Sequence, residues 1–191
     1  MPAHKHSSTA VPRQNQPGRG DDGTTDLLVG RVEKTNDLIA VLGALDEVNA
    51  MLGLALSFDL DEAARREIIA VQQHIYQLSA HVAARGAYDT HPPLPDMLAM
   101  LDHNIAVAQD QFVEDAGFIQ YDGRSGPAAL QVARAMCRRA ELALWQASHQ
   151  TPFEPAALHV LNRMSLWLFY MARMANIKLG QHEHKVTDLA P

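Results

Sequence analysis

Arg134-Ala135-Met136-Cys137-Arg138-Arg139-Ala140-Glu141 lies inside an otherwise apolar run. With helical steps of four and three residues, Arg134, Arg138 and Glu141 share one face about one turn apart. Arginine is always charged and offers a rigid fork of donors suited to carboxylates and phosphates. Two such forks on one stripe fit a site for a polyanion or a buried carboxylate. A solvated charged face is the plain alternative.

Helical patterns continue on both sides of this stretch. The first runs from Leu38 to Phe58 with Asp37 as its N-cap, and the second from Asp61 to Ala84, ending near Gly86. Pro92, Pro93 and Pro95 break the chain, and a third helix spans Pro95 to Glu114. A loop from Ala116 to Gly126 leads to a fourth helix, Pro127 to Ser148, and a fifth, Pro155 to Leu179. Long helices with short connections predict an all-α, antiparallel five-helix bundle. Residues 1–19, with Pro2, Pro12 and Pro17, have little to bury and read as a disordered tail. Residues 20–36 read as a Gly/Asp/Thr-rich loop opening a single domain over 20–181, and 182–191 as a C-terminal tail.

A chain of 191 residues, 47% hydrophobic and 20% charged, fits one soluble domain with a real core. A net charge of −6 argues against general binding to nucleic acid or an anionic membrane. The single cysteine, Cys137, excludes an intrachain disulfide and fits a reducing compartment. No stretch reaches the roughly 18 apolar residues of a membrane helix. The first 19 residues lack the apolar core of a secretory signal, so a cytoplasmic protein is expected.

Asp46, Glu47, Asn49, Asn162 and Arg163 interrupt apolar helical runs. On a buried face such groups need partners, and an Asp46 pair with Arg134 or Arg138 across the bundle would supply one. Upstream, Gly20-Asp21-Asp22-Gly23-Thr24-Thr25 permits a tight turn. Its amides and hydroxyls can cradle phosphate oxygens, and an aspartate can place hydrated Mg²⁺, although the same residues also make ordinary turns. A metal-oxidase bundle needs Glu-x-x-His pairs on two helices, and the sequence has none, so no protein-bound metal is expected. His74, His81 and His159 read as surface or satisfied core residues. Met97, Met100, Met136, Met164, Met171 and Met174 read as core.

These segments together resemble the PduO-type ATP:cob(I)alamin adenosyltransferases, the corrinoid adenosyltransferases. Gly20 to Thr25 followed by Arg31-Val32-Glu33-Lys34, then Gly43-Ala44-Leu45-Asp46-Glu47-Val48-Asn49-Ala50, then Arg134 to Glu141, then Leu161-Asn162-Arg163-Met164-Ser165 occur in the family's order. The resemblance implies a ferritin-like, cobalamin adenosyltransferase-like bundle forming a homotrimer, with ATP between neighbouring subunits. It assigns ATP to Arg19, Gly20, Asp21, Gly23, Thr24, Thr25, Lys34, Arg138, Glu141 and Asn162. It assigns Asp46 and Arg134 to an intersubunit salt bridge beneath the corrin. Phe118 is placed at the lower face of the cobalt, where it excludes the axial ligand.

The implied reaction transfers the 5′-deoxyadenosyl group of ATP to Co(I) of cobalamin with loss of triphosphate. Arg134, Arg138, Asp46 and Phe118 would be its catalytic residues, Mg²⁺ would accompany ATP, and a reductase and an adenosylcobalamin-dependent enzyme would be candidate partners. The chain departs from the family's pattern at Pro17-Gly18-Arg19, Asp26, Gln120-Tyr121-Asp122-Gly123 and Leu166. A non-catalytic carrier, chaperone or sensor of a corrinoid or other tetrapyrrole is the alternative on the same fold.

Overall fold

Asn36 starts the first helix: its side chain accepts the Leu38 amide at 3.0 Å, capping α1, Asp37–Leu56. The expected cap, Asp37, is instead the first helical residue, where its charge suits the helix dipole. Asp61 caps α2, Glu62–Ala83, by accepting from the Ala64 amide at 2.9 Å. Prolines open α3, Leu94–Gln109, and α5, Pro155–Lys178, where a missing N–H costs nothing. Between them lies α4, Ser125–Ser148. The computed structural model describes residues 17–112, 118–121, 123–181 and 184–186. The third helix stops at Gln109, short of the expected Glu114, which lies outside the described residues.

The segment expected to be loop at 20–36 contains an antiparallel hairpin, β1 (Thr24–Leu27) and β2 (Gly30–Glu33). Thr24 pairs with Glu33 and Leu27 with Gly30, and exposed Leu28 and Val29 form its tip. Two four-residue strands are too short to show a clear alternation of polarity, so a charged, glycine-rich sequence hid them.

In the bundle α4 packs between α1 and α5, α2 lies on α1, and α3 lies on α5. The start of α4 lies beside the chain just past α1, with Gly126 against Leu60 and Phe58. Lys178 near the end of α5 reaches Asp61 at 2.6 Å. Successive ends therefore alternate, as in an antiparallel bundle. Leu45, Leu52, Ile68, Leu78, Leu130, Leu144 and Leu161 are among the fully buried side chains, each stabilising the fold by about 1.5–3 kcal/mol relative to exposure. Trp167 donates its indole N–H to Glu67 at 3.2 Å, tying α5 to α2. Between α4 and α5, Cys137 donates its thiol to the Leu161 carbonyl at 3.3 Å.

By length and composition α1 is apolar enough to cross a membrane, with a mean hydropathy of 1.6. This corrects the expectation that no segment reaches that limit. Its apolar residues Leu38, Val41, Leu45, Val48 and Leu52 lie in the bundle core. Met97, Met164 and Met171 are core as expected, while Met100, Met136 and Met174 are only half-buried. His159 is exposed. Satisfied burial does not hold for the other two histidines: His74 Nδ1 and His81 Nε2 are buried without a partner among the described residues. His81 does share its Nδ1 with the Tyr88 carbonyl at 2.8 Å.

Candidate functional site

The hairpin gathers the glycines, aspartates and threonines of the N-terminal motif. Gly18, Gly20 and Gly23 all have positive φ, at 83°, 105° and 80°. At Gly20 this conformation is also sterically enforced, because a Cβ would sit 2.9 Å from the Thr24 carbonyl oxygen. The Lys34 side chain passes within 3.5 Å of the same position, so the expected loop-closing lysine lies against Gly20. Asp22 accepts from the Thr24 amide at 3.1 Å and its hydroxyl at 2.8 Å. Arg31 reaches across the hairpin to Thr24 Oγ1 at 2.5 Å, to Asp22 at 3.1 Å and to Asp26 at 3.3 Å.

Arg19 completes the cluster with an ion pair to Asp26 at 2.7 Å. The departure at Asp26 is thus locally neutralised, its negative charge shared between Arg19 and Arg31. Hydrogen bonds from Arg19, then Arg31, hold the Asp26 carboxyl below its usual range. The Thr24 hydroxyl and amide, followed by Arg31, do the same for Asp22. Arg19, Thr25, Asp26 and Arg31 line an open depression of about 210 Å³. Asp21 is exposed and its carboxylate has no partner among the described residues, which fits a group that receives a hydrated cation.

A second polar strip runs along α4 and α5. Asn162 donates to Glu141 at 3.0 Å, so two residues predicted to share a site do meet. Arg163 donates to Asn162 at 3.3 Å and to Asp102 of α3 at 2.7 Å. Arg138, one turn before Glu141, is exposed and unpaired among the described residues. Such a guanidinium keeps its donors available.

The expected intrachain pairing of Asp46 does not form with either Arg134 or Arg138. Asp46 and Glu47 point outward from α1, and Glu47 pairs with Arg139 instead. Asn162 is likewise exposed, and Arg163 half-buried. The polar residues of these runs lie on the outer arc of their helices, so the apolar runs were mistaken for faces buried all round. Asn49 is the exception: it is 7% exposed and its Oδ1 has no partner among the described residues.

Arg134 faces the loop before α4. Its Nε donates to Gln131 at 3.0 Å and its Nη2 to the Tyr121 hydroxyl at 2.6 Å. Its guanidinium also lies 4.9 Å from the Tyr121 ring centre, a cation–π contact. Phe118, at the head of this loop, is 86% exposed. Tyr121, Arg31 and Asp22 were not predicted as site residues. The two hairpin residues became visible only once the strands paired, and Tyr121 only once its loop folded back on α4.

Residues 16–175 match the family described as cobalamin adenosyltransferase. A cobalamin adenosyltransferase of Cupriavidus metallidurans is 33% identical over 159 residues, covering 82% of this chain and 85% of the relative. A corrinoid adenosyltransferase of Bacillus subtilis is 26% identical over 166 residues, covering 84% and 86%. The corrinoid adenosyltransferase PduO of Salmonella typhimurium is 32% identical over 162 residues, covering 81% of this chain and 47% of that longer protein. A variant PduO-type ATP:corrinoid adenosyltransferase from Lactobacillus reuteri, complexed with cobalamin and ATP, shares the fold. Its TM-score is 0.82 at 23% identity, over 89% of this chain and 95% of that one.

Proposed function

The chain belongs to the cobalamin adenosyltransferase family, and we propose that it transfers the 5′-deoxyadenosyl group of ATP to the Co(I) centre of a corrinoid. Co(I) supplies the electron pair that forms the cobalt–carbon bond. The C5′–O bond breaks and triphosphate leaves with that bond's electrons. No protein nucleophile or general base is required. The protein contributes orientation, exclusion of water and neutralisation of charge.

The observation that carries the assignment of parts is the strip on α4 and α5, where an exposed Arg138, unpaired among the described residues, stands one turn from the Glu141–Asn162 pair. Arg138 meets the triphosphate, and Glu141 and Asn162 hold the nucleoside end. The positive-φ glycines of the N-terminal motif turn backbone amides toward the phosphates, with Thr24, Thr25 and Lys34 beside them. Asp21 receives Mg²⁺ through its hydration shell. Arg19 and Arg31, held by Asp26 and Asp22, place fixed guanidinium groups at the edge of the loop.

Asp46 has no partner within the chain among the described residues, and Arg134 leaves one edge of its fork unused by Gln131 and Tyr121. In a homotrimer Asp46 of one subunit pairs with Arg134 of the next, beneath the corrin. Phe118 presents its ring to the cobalt's lower face and excludes the axial ligand, which eases reduction to Co(I). The enzyme so proposed is cytoplasmic, is supplied with reduced corrinoid by a separate reductase and serves an adenosylcobalamin-dependent enzyme.

Arg138→Ala tests the phosphate assignment. Transfer falls by at least 100-fold, in the range seen when one charge-stabilising donor is removed, while thermal unfolding is unchanged because the side chain is exposed. Near-normal turnover would remove Arg138 from the triphosphate site.

A further inference from the structure

The α5 helix ends before Gly180, whose φ is 70°, and residues 184–186 lie against the loop that precedes α4. There Ile119 pairs with Lys185 in an antiparallel bridge. The Gln120 amide donates to the His184 carbonyl at 2.8 Å, and the Val186 amide donates to the Phe118 carbonyl at 2.9 Å. Phe118 itself is 86% exposed and contributes almost no packing to hold its own backbone. Two further contacts fix the downstream end of the loop. Arg134 binds Tyr121 by hydrogen bond and ring contact. Gly123, at φ 107°, lies so close to Asn176 that a Cβ would fall inside that side chain's contact distance.

We propose that residues 184–186 are a positioning element for the corrinoid side of the site, a short strand added to 118–120 that sets where Phe118 stands. The inference rests on the corrinoid-facing role given to Phe118 above. An extended backbone alternates its side chains, so strand pairing at 118 and 120 fixes the direction of Phe118 without touching its ring. The bond to the Phe118 carbonyl is the direct one, because it anchors the residue that meets the substrate. A bridge of two hydrogen bonds is marginal by itself. Loss of one donor therefore shifts its population measurably while the bundle core stays intact.

Val186→Pro in the full-length chain deletes the donor to Phe118, and Val186→Ala keeps it. By amide hydrogen exchange, Val186→Pro loses protection at Gln120 and Val186→Ala retains it. In steady state Val186→Pro raises KM for cob(I)alamin roughly 2- to 12-fold, the effect of one net hydrogen bond, with KM for ATP unchanged. With ATP present it also lowers the fraction of bound cob(II)alamin that takes the four-coordinate spectral form. Val186→Ala behaves as the parent in all three.

An active parent whose Val186→Pro variant loses Gln120 protection yet keeps the same corrinoid KM and four-coordinate fraction overturns this inference alone. Equal rises in both KM values also overturn it, since they mark a general structural defect. A parent that forms no adenosylcobalamin overturns the adenosyltransferase assignment itself, and this inference with it.

Discussion

Replacing Gly20 by alanine separates the nucleotide loop from the rest of the site. Gly20 is buried, with φ at 105°, a region that L-residues avoid. Its new methyl would stand 2.9 Å from the Thr24 carbonyl oxygen and 3.4 Å from Lys34 Cε. Lysine can swing away, but Thr24 is fixed in β1, and the Lys34 amide is bonded to the Gly23 carbonyl at 2.8 Å. The methyl is accommodated by opening the turn rather than by unfolding the bundle, because the hairpin lies outside the helical core. A residue forced into such a region costs about 1–3 kcal/mol. If that cost falls on the binding-competent turn, apparent ATP affinity drops by roughly 5- to 150-fold.

Gly23→Ala is the internal comparison. Its φ is 80°, but a Cβ there meets nothing within 4 Å, so it carries the backbone strain without the clash and loses less affinity. Calorimetric titration with MgATP measures both variants, with the corrinoid KM followed in parallel at saturating ATP. The expected order of ATP affinity is parent, Gly23→Ala, Gly20→Ala, with corrinoid KM constant. Unchanged ATP affinity in Gly20→Ala would refute the placement of triphosphate at this turn.

Phe118→Ala slows reduction of cob(II)alamin more than it weakens ATP binding, as read by stopped-flow spectroscopy and calorimetry; equal losses would argue against the axial-ligand role. Asp61→Ala removes the cap of α2 and costs about 1 kcal/mol in urea unfolding, while the exposed Lys178 pair adds little because water screens it. The Lys178 hydrogen bond, with the Ala64 amide, lowers the Asp61 pKa in the folded state. The parent's advantage is therefore full at neutral pH and vanishes as pH falls below about 4, through the lowered value; a difference that persists in acid would contradict this. Burial pushes the Cys137 thiol far up, so a thiol reagent at pH 8 labels it only after denaturant is added, and rapid native labelling would show that α4 and α5 separate readily.

Helix ends were legible where the chain carries its own punctuation. Asp61, Pro155, Gly86 and Gly180 mark ends that the backbone honours. The α4 stripe was legible for the same reason, since helical spacing alone puts Arg134, Arg138 and Glu141 on one face. Tertiary pairings were not. Whether Asp46 met Arg134 depended on how α1 was rotated, and the helix turns Asp46 to solvent while sending Glu47 to Arg139. The hairpin escaped notice because its strands are short and its side-chain contacts join Arg19 and Arg31 to Asp22 and Asp26. Those pairs appear along the chain only as scattered charges. The contacts of Tyr121 with Arg134 and of residues 184–186 with 118–120 join parts of the chain that no local pattern links.

Anaerobic incubation of the purified protein with chemically reduced cobalamin and MgATP, followed by loss of the Co(I) absorbance, tests the central claim most directly. The account predicts ATP-dependent formation of a light-sensitive alkylcobalamin together with release of triphosphate. Binding of cob(II)alamin in the four-coordinate form with no turnover, even with Co(I) present, would contradict it and leave a corrinoid carrier or sensor built on the same bundle.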